Sequence, residues 1–191
     1  MIAAPSALHV ANLSSLVWLR KECQDCAEVA ERLFDLEAAD MRFYLGLSDA
    51  EIELLCSELD MSLFIPRYAA SALPSALDAC RQLSGGEGSS RDLELHNLRN
   101  LQALRELCEA STGDAVWTYR IDRQTVRAYR TLDYGDVIML SKVLRVSAFL
   151  PRYDAAQAAK ILEKPPGARA IYAAAFETEV RTVTATSRRI E

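Results

Sequence analysis

The sequence predicts an all-α protein made of two tandem helical units in a pseudo-two-fold arrangement, and three observations carry that reading. The stretch "SLFIPRY" at 62–68 returns as "SAFLPRY" at 147–153. Sliding the chain against itself by 85 residues aligns 12–70 with 97–155 without a gap, giving 18 identities in 59 positions. In both copies apolar residues recur at spacings of three and four, the period of a helix with one buried face.

Taken in order, the first copy opens with a stripe of Leu13, Leu16, Leu19, Cys23, Cys26, Ala30 and Leu33, which predicts one long helix over 12–34. The second copy repeats the stripe through Leu98, Leu101, Leu104 and Cys108, giving a helix over 97–110. There "STGD" (111–114) should interrupt it, because glycine weakens a helix interior. The copies are therefore expected to differ at this point. A helix at 37–45, a turn at Gly46 and a capping box of Ser48 with Glu51 lead into a second helix that buries Ile52, Leu55, Cys56 and Leu59. The second copy matches this with a helix over 120–131, a turn at Leu132-Asp133 and a helix through Val137, Leu140 and Leu144. Both have the outline of a helix-turn-helix.

Phe64-Ile65-Pro66 and Phe149-Leu150-Pro151 cannot prolong those helices, since proline lacks the amide donor and biases its predecessor towards extended backbone. The repeated motif thus reads as a helix exit, with Phe and Tyr packing back and Arg67 and Arg152 holding the chain near a helix end. Short helices follow at 72–83 and 155–163. "EKPPG" (163–167) breaks the chain, 168–180 forms one more helix and the Thr-rich tail is loose. The expected organisation is repeat one at 1–83, a Gly/Ser linker around "SGGEGSS" at 84–91, repeat two at 92–163 and a C-terminal extension at 164–191.

Composition narrows the function classes. Half of the 191 residues are hydrophobic and a quarter are charged, which suits a globular chain. The opening residues lack a basic segment before an apolar core, and no stretch approaches the 18 or more apolar residues of a membrane span, so a soluble, cytoplasmic protein without membrane contact is expected. Five cysteines, an odd number, argue for reduced thiols. Cys23-x-x-Cys26 has no second pair to complete a zinc site, and fills a helix face instead. His9 and His96 fall at or just before the start of each unit's first helix, where surface or capping roles are expected. With no phosphate loop and no metal-ligating cluster, the chain reads as a non-enzyme without cofactor.

Charge separates the copies. Residues 29–68 carry nine acidic and three basic side chains, a net of -6, whereas the matching 114–153 carry seven basic and four acidic, a net of +3. Arg120, Arg123, Arg127 and Arg130 follow one another at three, four and three, which would align them along one helix, and Lys142 and Arg145 add to the basic side. Such a stripe attracts phosphate backbones and is the candidate DNA-binding set. It can equally pair with acidic residues of the first copy. Asp49, Glu51, Glu53 and Glu58 would be repelled by DNA and form the candidate partner-binding set. The chain as a whole is acidic at -5, so a partner must supply most of any affinity for DNA.

The residues over 12–71, from Asn12-Leu13-Ser14 through the striped first helix and Leu33-Phe34-Asp35-Leu36 to the final Phe-x-x-Arg-Tyr, resemble FlhD. FlhD is the helical subunit of the bacterial flagellar transcriptional master regulator. Residues 97–154 resemble it as well, so the likeness covers about 120 residues of the chain. The resemblance implies an all-α fold that pairs with itself, and an activator subunit that works beside FlhC, a zinc-containing partner, to reach DNA. The head-to-tail fusion, Pro66 and Pro151, and the C-terminal extension depart from that family. Two functions remain open on the sequence: a transcriptional co-regulator acting in a complex with an FlhC-like protein, and a helical adaptor that binds proteins without touching DNA.

Overall fold

A computed structural model describes residues 6–83 and 90–180. The first copy folds as α1 (Ala7–Asp25), α2 (Ala27–Phe34), α3 (Ala38–Gly46), α4 (Asp49–Glu58), β1 (Phe64–Pro66) and α5 (Leu73–Leu83). The second follows as α6 (Arg91–Ala110), α7 (Thr112–Tyr119), α8 (Arg123–Arg130), α9 (Tyr134–Val143), β2 (Phe149–Pro151) and α10 (Ala155–Leu162), and α11 (Arg169–Val180) is the last described element. Among the described residues the fold is thus all-α apart from one two-stranded sheet. Of the expected linker only Ser90 and Arg91 are described, as the N-cap and first residue of α6. Residues 84–89 and the Thr-rich tail lie outside the described residues.

Helix starts follow the side chains at their caps. Ser6 and Ser90 accept from His9 N and Leu93 N, and the Ser48–Glu51 capping box forms in both directions. Asp133 with Asp136 and Asp154 with Gln157 build the same device at α9 and α10. Each satisfied first-turn amide contributes about 1 kcal/mol.

Several expectations need correction. The first copy has no single helix over 12–34: Cys26 is extended (φ -160°) and separates α1 from α2 as Ser111 (φ -154°) separates α6 from α7. The copies agree here rather than differ. In both, the break lets the short helix fold back, which brings Phe34 within 5.0 Å of Trp18. A straight helix would hold those two residues about 24 Å apart. Cys26 is consequently exposed at the bend, not part of the buried face, while Cys23 is buried. His96 is not a surface residue either. Helix α6 begins at Arg91, so His96 falls in its second turn and is 6% exposed. Finally, the Phe-x-Pro exits are strands as well as helix stops.

The two copies meet along a seam. Strands β1 and β2 are antiparallel, with Phe64 opposite Pro151, Ile65 opposite Leu150 and Pro66 opposite Phe149. Arg67 N donates to Ala148 O and Arg152 N to Leu63 O, each at 2.8 Å. Arg67 Nε donates to Ser147 O and its Nη2 to Leu33 O; Arg152 Nη1 donates to Ser62 O and to Thr118 O. The guanidinium groups therefore sit at the C-terminal ends of α2 and α7, as expected, but also reach across. Tyr44 Oη donates to Tyr153 O and Tyr129 Oη to Tyr68 O. Each of these contacts has a counterpart displaced by 85 residues. Helix α5 packs on α9, and α10 packs on α3 and α4, so each exit helix rests on the other copy.

Helices α1 and α6 cross at the centre of one continuous core, with Leu19, Leu104, Phe64 and Phe149 wholly buried. Full burial of side chains of this size stabilises the fold by roughly 1.5–3 kcal/mol each. Where α1 meets α6 the core is polar. Asn100 Nδ2 donates to Ser15 Oγ, whose own hydroxyl faces His96 Nδ1 at 3.2 Å. His96 Nε2 lies 2.8 Å from Ser147 Oγ, which donates to Phe149 O. Because the Ser147 proton is committed to that carbonyl, His96 must donate from Nε2 and accept at Nδ1, which is the neutral imidazole. Burial lowers its pKa from 6.5 to about 3, in keeping with that network.

Candidate nucleic-acid interface

The second copy presents its arginines because of how α7 ends and α8 begins. Arg120 closes α7 in the left-handed region (φ 57°), as Asp35 does at the matching place after α2. Asp122 then caps α8 by accepting from Thr125 N at 2.6 Å, and this bond holds the Asp122 carboxyl below its usual range. The expected helix over 120–131 is therefore shorter, and Arg120 is not on it. With Thr125, Val126 and Tyr129 buried, α8 turns Arg123, Arg127 and Arg130 outward at spacings of four and three, a single face.

That face lines a groove of about 440 Å³ between α7 and α8, whose other walls are Thr112, Gly113 and Val116. Arg130 is fixed by donating from Nε to Cys108 O at 3.0 Å and from Nη2 to Thr112 Oγ1 at 2.7 Å. Arg123 and Arg127 are exposed, and their side chains have no hydrogen-bond or ion-pair partner among the described residues. Two exposed guanidinium groups thus stand along α8 before a third that is held in place at its end. The structure brings together three of the six predicted basic residues. Arg120 instead lies over the Trp117 ring, 5.9 Å from its centroid; burial first, and then the like charge of Arg120, lower the pKa of Arg152. Lys142, on the last turn of α9, and Arg145 beyond it are exposed outside the groove.

The predicted acidic set is spread over α4 and engaged within the chain. Asp49 pairs with Arg20 at 2.7 Å, Glu51 serves the capping box with Ser48, and Glu53 lies 3.5 Å from His9 Nε2. The Ser48 hydrogen bonds hold the Glu51 carboxyl below its usual range. Glu58 is covered by the C-terminal extension, where Arg169 Nη1 meets it at 2.6 Å. Asp49 and Glu53 keep most of their exposure; Glu58 does not.

Sequence reasoning missed Thr112, Gly113 and Trp117. The signal was present in "STGDAVW": residues that break one helix also start the next, and place its first turn against α8. Among the described residues no group of three or more His, Cys, Asp or Glu side chains could hold a metal ion, and no helix is long and apolar enough to cross a membrane. Comparison of the chain with family models, curated proteins and solved structures finds no match.

Proposed function

We propose that the chain is a covalent pseudo-dimer of two FlhD-like units acting as a transcriptional co-regulator, in a complex with an FlhC-like zinc-containing partner and through that complex on DNA. The observation that carries the nucleic-acid part is the groove of Arg123, Arg127 and Arg130, with two guanidinium groups that have no partner among the described residues. The pseudo-dimer is supported by the seam, whose hydrogen bonds come in pairs related by the 85-residue shift. In this reading copy one contributes structure and protein contact through Asp49 and Glu53, and copy two contributes phosphate contact. Bacterial flagellum biogenesis is the target class that the resemblance suggests, and self-association beyond one chain belongs to the same reading.

The test is co-purification from the native source followed by salt-titrated DNA binding of the isolated complex. A partner carrying a cysteine-bound zinc, and a log affinity that falls steeply with log salt, are the expected results. A second reading, a protein-binding adaptor without DNA contact, is favoured by the net charge of -5. It would be selected by a stable protein complex with no salt-dependent DNA affinity.

A further inference from the structure

The α7–α8 groove is larger than a contact to one backbone phosphate needs, and it has an aromatic neighbour. At about 440 Å³ it falls in the range of small-ligand sites. Trp117 stands one helical turn beyond Gly113 on α7 and is 54% exposed, while the chain's other tryptophan, Trp18, is buried. Residues four apart on a helix are neighbours, about 5–6 Å between their Cβ positions, so Trp117 stands next to Gly113 and Val116, just beyond the residues that line the groove. Arg120 lies against that ring. Gly113 adds no side chain, and a Cβ there would meet only Ser111 Oγ, at 4.0 Å, so the first turn of α7 is open to the groove.

From these features we infer that the groove and Trp117 together form a site for a nucleotide unit, its phosphate between the three guanidinium groups and its base stacked on the indole. Guanidinium groups match phosphate oxygens in pairs, and base–aromatic stacking suits any base with an exposed face. The base must be unpaired to reach the ring, so the ligand is a free nucleotide or a single strand, not an intact duplex. The fold does not demand this constellation. At the matching positions copy one has Ala27, Glu28 and Glu31 for the α7 wall, Ala38, Arg42 and Leu45 for the three arginines, and Arg32 for Trp117. One copy lost or never had the site, and the other has every part of it. The inference rests on the proposal that copy two's basic face meets nucleic acid, and the experiment separates the two.

The test uses the full chain, alone and with any co-purified partner, against four probes: adenosine triphosphate, inorganic triphosphate, a single strand of about 12 nucleotides and the duplex of that sequence. Trp117 emission reads quenching in the parent chain, since the buried Trp18 is shielded, and titration calorimetry reads affinity in the parent and in every variant, Trp117→Ala included. The expected result is quenching by the nucleotide or the single strand, with affinity falling about tenfold or more in Trp117→Ala and in Arg127→Glu but not in Arg42→Glu. Equal per-site affinity for nucleotide and strand identifies a free nucleotide; a much tighter strand identifies the polymer. Inorganic triphosphate binding as well as the nucleotide, or Trp117→Ala leaving affinity unchanged, overturns the base platform while leaving phosphate contact standing. Preference for the duplex without quenching overturns it in the same way. Binding of none of the probes, alone or in the complex, removes both proposals.

Discussion

Inside the molecule the two copies are nearly interchangeable; outside they are opposites. Asn12 and Asn97 bind the backbone of their own exit segments at matching atoms, Arg20 and Arg105 donate to the carbonyls of Leu47 and Leu132, and Ser62 and Ser147 donate to those of Phe64 and Phe149. Among the 18 identical pairs, Arg42 and Arg127 form the one pair exposed on both sides. The other identical pairs are buried or half-buried, although buried pairs such as Leu63/Ala148 and Cys56/Ser141 also differ. Two copies within one chain can carry different surfaces, whereas a homodimer must carry the same surface twice. The seam itself differs between the copies: the Trp18 and His96 rings meet at 4.6 Å, tilted by 40°, whereas the residues matching them are Ala103 and Ala11.

The comparison can be broken most forcefully at the strands. Phe64→Ala and Phe149→Ala should each destabilise the fold by about 3–5 kcal/mol, since both rings are wholly buried. Urea denaturation of the two variants should give similar losses; a loss below about 1 kcal/mol at either site would show that the copies are not packed alike.

A smaller effect sharpens the difference at the seam. The unfolded chain protonates His96 near 6.5, the folded chain only near 3, so the unfolded state binds more protons throughout that window. Stability should therefore fall as pH drops below 6.5, by about 1.6 kcal/mol between pH 6.5 and 5 from this residue. His96→Ala, which copies the first repeat's Ala11, should flatten the pH dependence of the denaturation midpoint over that interval. An unchanged slope would show that His96 is accessible to protons in the folded state.

The smallest expected effect is on the surface. Reversing Arg123 and Arg127 to Glu should shift stability by no more than about 0.5 kcal/mol, because neither side chain has a partner among the described residues to lose. It should also flatten the dependence of log DNA affinity on log salt by about one unit per arginine. A clear drop in melting temperature with unaltered DNA affinity would assign the arginines a structural role.

The helix cap at Ser48, the turn at Leu132-Asp133 and the buried faces of α4 and α9 were legible because they are local: periodicity and capping chemistry act within one turn or two. The sheet was not. Three residues such as Phe64-Ile65-Pro66 have no strand signal of their own and are extended because a matching segment 85 residues away pairs with them. The bend at Cys26 was hidden for a related reason, since no side chain caps α2 there and the fold-back of Phe34 onto Trp18 is a tertiary event. Arg120 was misplaced because the left-handed turn it makes usually announces itself as glycine. At the candidate site the spacing of Arg123, Arg127 and Arg130 located one wall, and the opposite wall needed coordinates.

The strand pair also sets an order of events during synthesis. When Phe64-Ile65-Pro66 leaves the ribosome its partner segment does not yet exist, and at about 5–20 residues per second the delay is roughly 4–17 s. Through that interval the nascent first copy exposes the ring of Phe64 and an open strand edge. Two such chains on neighbouring ribosomes could pair antiparallel at that edge. The mismatch of Trp18 against Ala11 in any such pairing, in place of the contact with His96, leaves the arrangement to be displaced once the second copy of the same chain arrives.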